Sequence, residues 1–377
     1  MNPTFDPTLE HGASRGQPTA RGAAPEAVEF VRYAERARTK IEAALEEWLA
    51  SKATETAGLT PGARAPIEAA FDLARRGGKR LRAVLVACTY DGFRGEGGAD
   101  NVVMAGVAME LLQVYLLIHD DWMDGDELRR GGPSVPAMMR ARFGSGNLAD
   151  ASAILAGDYA AGLALDALLS VPCSAGRVAK AARELARVEK DVVAGQLLDV
   201  HASQDGTSAA LPRHAEVESM HSLKTASYTV RAPVLIGARL AGAGDQACDA
   251  LESFAEPLGV AFQLRDDVLG TFGDPKATGK PSLSDLRQGK RTALIAEAAR
   301  DPDSRELLRV VGDADASVAD LEALARYLAD SGVRARVEAR IDTLLAKAHA
   351  ALETPLVPES ARLVLQGSIL ALGRRER

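Results

Sequence analysis

One stretch limits the fold more than any other: Glu110 to Gly132, reading ELLQVYLLIHDDWMDGDELRRGG. Its first half is apolar with helical spacing. Its second half abruptly carries Asp120, Asp121 and Asp124, then Asp126, Glu127, Arg129 and Arg130. Residues four apart share a helix face, so Asp120 and Asp124 project together with Asp121 beside them. Carboxylates that close repel, and the end of an apolar helix is a poor place to desolvate them. A divalent cation relieves both costs. An oxygen-only donor set suits magnesium, which bridges a few carboxylates to phosphates. The arginines just downstream suit phosphate as well. The stretch therefore reads as a magnesium–diphosphate site at the end of a buried helix.

A second stretch repeats the arrangement. AFQLRDDVLG places Asp266 and Asp267 at the end of another apolar helix, with Gln263 one turn before. Either pair alone also reads as a solvated helix terminus. Acid at a helix C-terminus opposes the macrodipole, however, and two copies of that placement point to function. If the two ends face each other, they form a carboxylate clamp able to hold one diphosphate through several metal ions.

Basic residues complete the pattern locally. Gly78-Lys79-Arg80-Leu81-Arg82 lies at a loop-to-helix junction where amides, Lys79 and Arg82 can cradle phosphate. Lys224-Thr225 lies inside an apolar helix, where a lysine is costly unless paired. Lys280, Lys290 and Arg291 follow the second acidic pair, as a basic lid or an ordinary surface loop. The net charge of −7 across 377 residues excludes a global field for nucleic acid.

The longest apolar run, Val102 to Ile118, is broken by Glu110 and Gln113 and ends in aspartates, so it reads as a core helix rather than a membrane span. Cys88, Cys173 and Cys248 are odd in number and widely spaced, which indicates free thiols and a cytoplasmic setting. Aromatics make up only 4% of the chain, favouring helices over sheets. Residues 1–25 are Pro-, Gly- and Thr-rich and read as a disordered tail. Phe30, Ala34, Ile41, Leu45 and Leu49 then recur at helical intervals. Pro61 and Pro66 flank a break, and a helix is expected from Ile67 to Arg76. A charged loop is expected over 125–135, and a helix from His214 to Leu240 kinked by Pro233. The expected fold is all-α, a single large helical bundle over residues 26–377. His119 reads as packing; His201, His214, His221 and His349 show no ligand spacing.

GGKRLR at 77–82, DDWMD at 120–124, RRG at 129–131, KT at 224–225, FQLRDD at 262–267 and GK at 279–280 occur in the order seen in trans-isoprenyl diphosphate synthases. The chain resembles that family over about residues 30–372. The resemblance implies a helical bundle around a central cavity, usually a homodimer. It also implies head-to-tail joining of isopentenyl diphosphate to an allylic diphosphate. Carried over by position, Asp120, Asp121, Asp124 and Asp266 would hold magnesium, about three ions per site with manganese able to substitute, and Asp267 would assist from behind. Arg129, Lys224 and Lys280 would grip the allylic diphosphate, and Lys290 is a further candidate for substrate binding. Lys79, Arg82 and Arg130 would bind isopentenyl diphosphate; Gln113 stands where many members carry histidine and can still donate to phosphate. Thr225 and Gln263 would turn oxygen dipoles toward the allylic cation.

Product length follows from the first acidic helix. By helical rise Leu116 lies about 6 Å and Tyr115 about 7.5 Å below Asp120, so the hydrocarbon tail grows down this wall. Tyr115 in that position resembles the geranylgeranyl-forming type, and Leu116 argues against a farnesyl stop. One departure stands out: the second acidic motif ends in Gly270 where the family usually has a third aspartate. This looser motif resembles some bacterial geranylgeranyl diphosphate synthases. Farnesyl diphosphate synthase, a terpene cyclase and a non-catalytic subunit are the alternative readings.

Overall fold

The computed structural model describes residues 25–204, 214–274 and 282–373. The expected tail as far as residue 24, and Lys280, lie outside them.

The described chain is a bundle of helices. They are α1 (Pro25–Glu55), α2 (Pro61–Arg75), α3 (Leu81–Gly92), α4 (Val103–Asp124), α5 (Val135–Phe143), α6 (Asn147–Leu169), α7 (Ala175–Gln204) and α8 (His214–Met220). After α8 the helix widens into a π-helical segment, His221–Arg231, and continues as α9 (Ala232–Ala241). Then come α10 (Asp245–Phe272), α11 (Ser284–Arg287), α12 (Ala293–Ala298), α13 (Arg305–Leu308), α14 (Val318–Asp330), α15 (Val333–Ala351) and α16 (Glu359–Gly373).

Local chemistry explains several boundaries. Thr60 caps α2 and Pro61 opens it, so this helix begins six residues earlier than the two prolines suggest. Pro66 falls inside, near the start, where it forfeits only a bond to the Gly62 carbonyl. Gly125, at φ +68, ends α4 directly after Asp124 and donates its N–H to the Asp121 carbonyl. The 125–135 segment is not all loop: Leu128–Arg129 pairs antiparallel with Gly132–Pro133. Pro233 does not kink its helix. It falls in the first turn of α9, and the widened turn stands just before it, where the Ala232 N–H reaches back five residues to Ser227.

Two apolar clusters form the core. One gathers α10, α15 and α16; the other gathers α2, α4, α6 and α7. α3 and α9 serve both: Leu85 and Leu235 face the first cluster, Val86 and Ile236 the second. α1 runs past both, burying Phe30 and Ile41 in one and Leu45 and Leu49 in the other. Each such aliphatic side chain contributes about 1.5–3 kcal/mol on burial. By length and composition two helical stretches, 98–124 and 147–169, could cross a membrane, but α4 and α6 pack on each other within the second cluster.

Candidate active site

The site is organised by the π-helical segment between α8 and α9. It lies between α7 and α10 at close range. An added Cβ at Gly195 of α7 would stand 2.5 Å from the Lys224 backbone nitrogen, and one at Gly259 of α10 would stand 2.5 Å from the Ala226 Cα. Two glycines thus let both helices touch the backbone on either side of Lys224-Thr225.

The two neighbours then point to different helices. The Lys224 ammonium sits 3.3 Å from Oδ1 of Asp120 on α4 and 2.6 Å from Oδ2 of Asp199 on α7. The Thr225 hydroxyl donates to Oε1 of Gln263 on α10 at 2.9 Å, and Gln263 Nε2 donates to Oδ1 of Asp267 at 2.8 Å. Consecutive residues therefore tie the two acidic helix ends together. Burial works against the Lys224 charge, but Asp120 and Asp199 outweigh it and hold the ammonium above its ordinary value.

The first acidic end is crowded. Asp121 is fully buried, and burial pushes its carboxyl up to about 6 despite Arg129 at 2.6 Å. Its Oδ2 has no hydrogen-bond partner. Asp124 is also pushed up to about 6, by partial desolvation first and by the Asp120 charge second. An orphaned buried oxygen and two carboxylates reluctant to ionise fit the donor set of a divalent cation. Among the described residues no three acidic, His or Cys side chains are grouped so that they could hold a metal ion by themselves. Lys224 and Arg129 stand among the carboxylates instead. A metal held by one or two of these carboxylates and completed by phosphate oxygens matches magnesium's habit.

The second end differs. Asp267 is buried, and burial raises its carboxyl. Its oxygens are engaged by Gln263 Nε2, by the Ala293 N–H at 3.0 Å and by His221 Nε2 at 3.5 Å. Those contacts agree with the assisting position expected for Asp267, behind the carboxylates that would hold metal. Asp266, its neighbour, is half-exposed at the same helix end. The two residues expected to turn oxygen dipoles toward the cation, Thr225 and Gln263, are hydrogen-bonded to each other. The Gln263 oxygen accepts from Thr225 and keeps a second lone pair, and the Thr225 hydroxyl keeps both of its own.

A basic corner forms where the loop before α3 meets α4 and the π-helical segment. Arg130 adopts φ +51 and Arg80 φ +49, left-handed conformations that both side chains must be held in. Arg80 is held by a buried ion pair with Glu110 at 2.7 Å and by the Ala74 carbonyl at 2.9 Å. Arg82 donates to Thr229 at 2.9 Å and stacks over Tyr228, 4.1 Å from the ring centre. Burial, aided by Arg80 and Arg82, lowers the pKa of Arg130. Clustered cations in a half-buried corner form an anion site. Gln113 is half-buried on α4, and Lys79 is exposed at the start of this corner.

The remaining expected residues fall as follows. Arg129 is engaged by Asp121 and Asp126, so it reaches a phosphate only by exchanging those partners. Lys290 lies 3.6 Å from Asp285. Tyr115 is half-buried and packs edge-on against His119, 4.8 Å between ring centres. His119 contacts the Ile154 carbonyl of α6 at 3.0 Å. Leu116 is half-buried beside Tyr115 in the second cluster.

Asp199 and His221 escaped the sequence reading. A lysine inside an apolar helix signals some carboxylate partner, but not which one. His221 carries no spacing signal at all. Glu110 could have been found: a lone acid within an apolar run needs a buried cation.

The polyprenyl synthetase family model matches residues 65–328. The chain belongs to the polyprenyl synthetase family. A geranylfarnesyl diphosphate synthase of Aeropyrum pernix is 33% identical over 275 residues, covering 72% of this chain and 82% of its own. A geranylgeranyl diphosphate synthase of Sulfolobus acidocaldarius is 34% identical over 261 residues, covering 67% and 74%. Among solved structures, a geranylgeranyl pyrophosphate synthase from Corynebacterium glutamicum, complexed with isoprenyl diphosphate and magnesium, superposes with a TM-score of 0.80 at 30% identity, covering 91% of this chain and 99% of its own. These polyprenyl synthetase neighbours share the all-α architecture of the described chain.

Proposed function

We propose that this chain is a magnesium-dependent short-chain trans-prenyltransferase that joins isopentenyl diphosphate to an allylic diphosphate and forms geranylgeranyl diphosphate. One observation carries the reading: Lys224 and Thr225, adjacent in sequence, link the acidic ends of α4 and α10. The similar enzymes named above support the product class.

In this reading Asp120, Asp121, Asp124 and Asp266 would hold magnesium, with Asp121 supplying the buried oxygen that has no hydrogen-bond partner. Bound there, the ion supplies positive charge to the departing diphosphate. Lys224 places a second positive charge beside Asp120, where negative charge develops. Arg82 and Arg130, with Lys79 and Gln113, orient the isopentenyl diphosphate in the basic corner. The Thr225 hydroxyl oxygen faces the allylic cation. The proton lost after carbon–carbon bond formation leaves with the diphosphate product. Positioning and electrostatics supply most of the acceleration. Tyr115 is the floor that sets product length.

The exposed leucines Leu148, Leu155, Leu165 and Leu169 along α6, with Leu197 of α7, support a homodimer. Free Cys88, Cys173 and Cys248 support a cytoplasmic setting. Residues 26–377 form the catalytic domain in this scheme. The test is product chromatography with isopentenyl diphosphate and dimethylallyl, geranyl or farnesyl primers, with and without excess chelator. Geranylgeranyl product lost on chelation supports the reading. Undiminished activity in chelator rejects the metal assignment.

A further inference from the structure

The glycine that replaces the usual third aspartate of the second acidic motif has a structural partner. A Cβ added at Gly270 would overlap Oδ2 of Asp285 and stand 2.5 Å from its Cγ. The Asp285 carboxylate thus lies directly on the bare Cα of Gly270, and only glycine admits it there. Asp285 is 7% exposed, and its charge is felt by Asp267 one turn away.

Asp285 also belongs to a two-point attachment. Its carbonyl accepts the Lys290 N–H at 2.9 Å, and its Oδ1 lies 3.6 Å from the Lys290 ammonium. Three residues beyond Lys290, the Ala293 N–H donates to Asp267 at 3.0 Å. Residues 285–293 are therefore pinned to the acidic end of α10 on both sides of Lys290 and Arg291. Leu283, at φ +63, turns the chain into the first pin.

We propose that Asp285 is a positioning residue: seated in the space left by Gly270, it fixes Lys290 over the acidic end of α10 and so sets the grip on the allylic diphosphate. The carboxylate that position 270 lacks is delivered from the following segment. This rests on the prenyltransferase reading above.

Asp285→Ala should raise the KM for the allylic diphosphate about tenfold, with a smaller change in kcat and none in the KM for isopentenyl diphosphate. Asp285→Asn keeps the shape but not the charge, and should give the same direction if the alanine variant folds poorly. Lys290→Ala should match Asp285→Ala, and the double variant should be no worse than either, because the two act as one unit. Calorimetry of inorganic diphosphate with magnesium gives a readout apart from turnover, with affinity about tenfold weaker in each variant. Gly270→Ala should displace the carboxylate and reproduce the KM effect. Gly270→Ala combined with Asp285→Gly should restore the melting temperature but not the KM. An Asp285→Ala protein with altered melting temperature but wild-type KM and diphosphate affinity overturns the proposal, as do additive effects in the double variant. Wild-type protein without turnover or diphosphate binding removes both readings; active wild type with indifferent Asp285→Ala removes this one alone.

Discussion

The Lys224 ammonium stands 3.3 Å from Oδ1 of Asp120, so the first acidic helix end already holds an internal counterion. In the proposed reading Asp120 would hold magnesium, and Lys224 would then be left to face the substrate diphosphate. Asp120→Ala removes both partners at once. Its kcat should fall by about 10²–10⁴-fold, the scale expected when charge stabilisation specific to the transition state is lost. Steady-state kinetics at saturating magnesium decides it, and a change under tenfold would mean that Asp120 is not a ligand.

The pH dependence of the metal-free protein has a definite sign. Asp121 and Asp124 are both pushed up to about 6. Those folded values lie above the unfolded one, about 3.9. Between these limits the folded chain binds more protons than the unfolded chain. Their contribution to stability is therefore present at low pH and lost as pH rises to about 6. Magnesium requires the ionised forms, so its binding should release protons near pH 6 and little above pH 8. Calorimetry in two buffers of different ionisation enthalpy measures this. Equal heats at pH 6 would take both carboxylates out of the metal site.

The Arg80–Glu110 pair is almost fully buried, at 2% and 1% side-chain exposure. Glu110→Ala strands the guanidinium in the core, with Glu42 at 3.6 Å as its remaining carboxylate neighbour. Loss of about 3–5 kcal/mol is expected, read as a lower urea midpoint at unchanged slope. Replacing both residues by apolar ones of similar size should cost far less. If the single substitution proved the milder of the two, the pair would not be holding Arg80 in its left-handed conformation.

Tyr115→Ala should lengthen the product by opening space one turn and a half below Asp120. The measurement is the chain-length distribution from a farnesyl primer. An unaltered distribution would reassign Tyr115 to packing against His119, which it also performs.

The helical class and both acidic ends could be read from the sequence because each rests on a local signal. Apolar periodicity gave Phe30, Ile41, Leu45 and Leu49 their buried face, and the abrupt change at Asp120 marked a helix end. What stayed hidden depends on neighbours far along the chain. The Pro61–Pro66 segment looked like a break because proline preference is local, whereas capping by Thr60 and packing of Ile67 and Phe71 carry the helix through. The partners of Asp267 and Gln263 stayed hidden because a helix end has two sides, and sequence does not say which side meets Ala293 or Thr225. Asp285 carries no signal until the bare Cα of Gly270 is seen beneath it.

The shared helices have a thermodynamic consequence. α3 and α9 give one flank to each apolar cluster, so neither half of the molecule owns a complete interior. A ligand that tightens one half must stiffen the partition and with it the other. Heating should accordingly melt the chain in one cooperative step, and diphosphate bound at the acidic ends should raise the melting point of the α15–α16 side as much as that of the α4–α6 side.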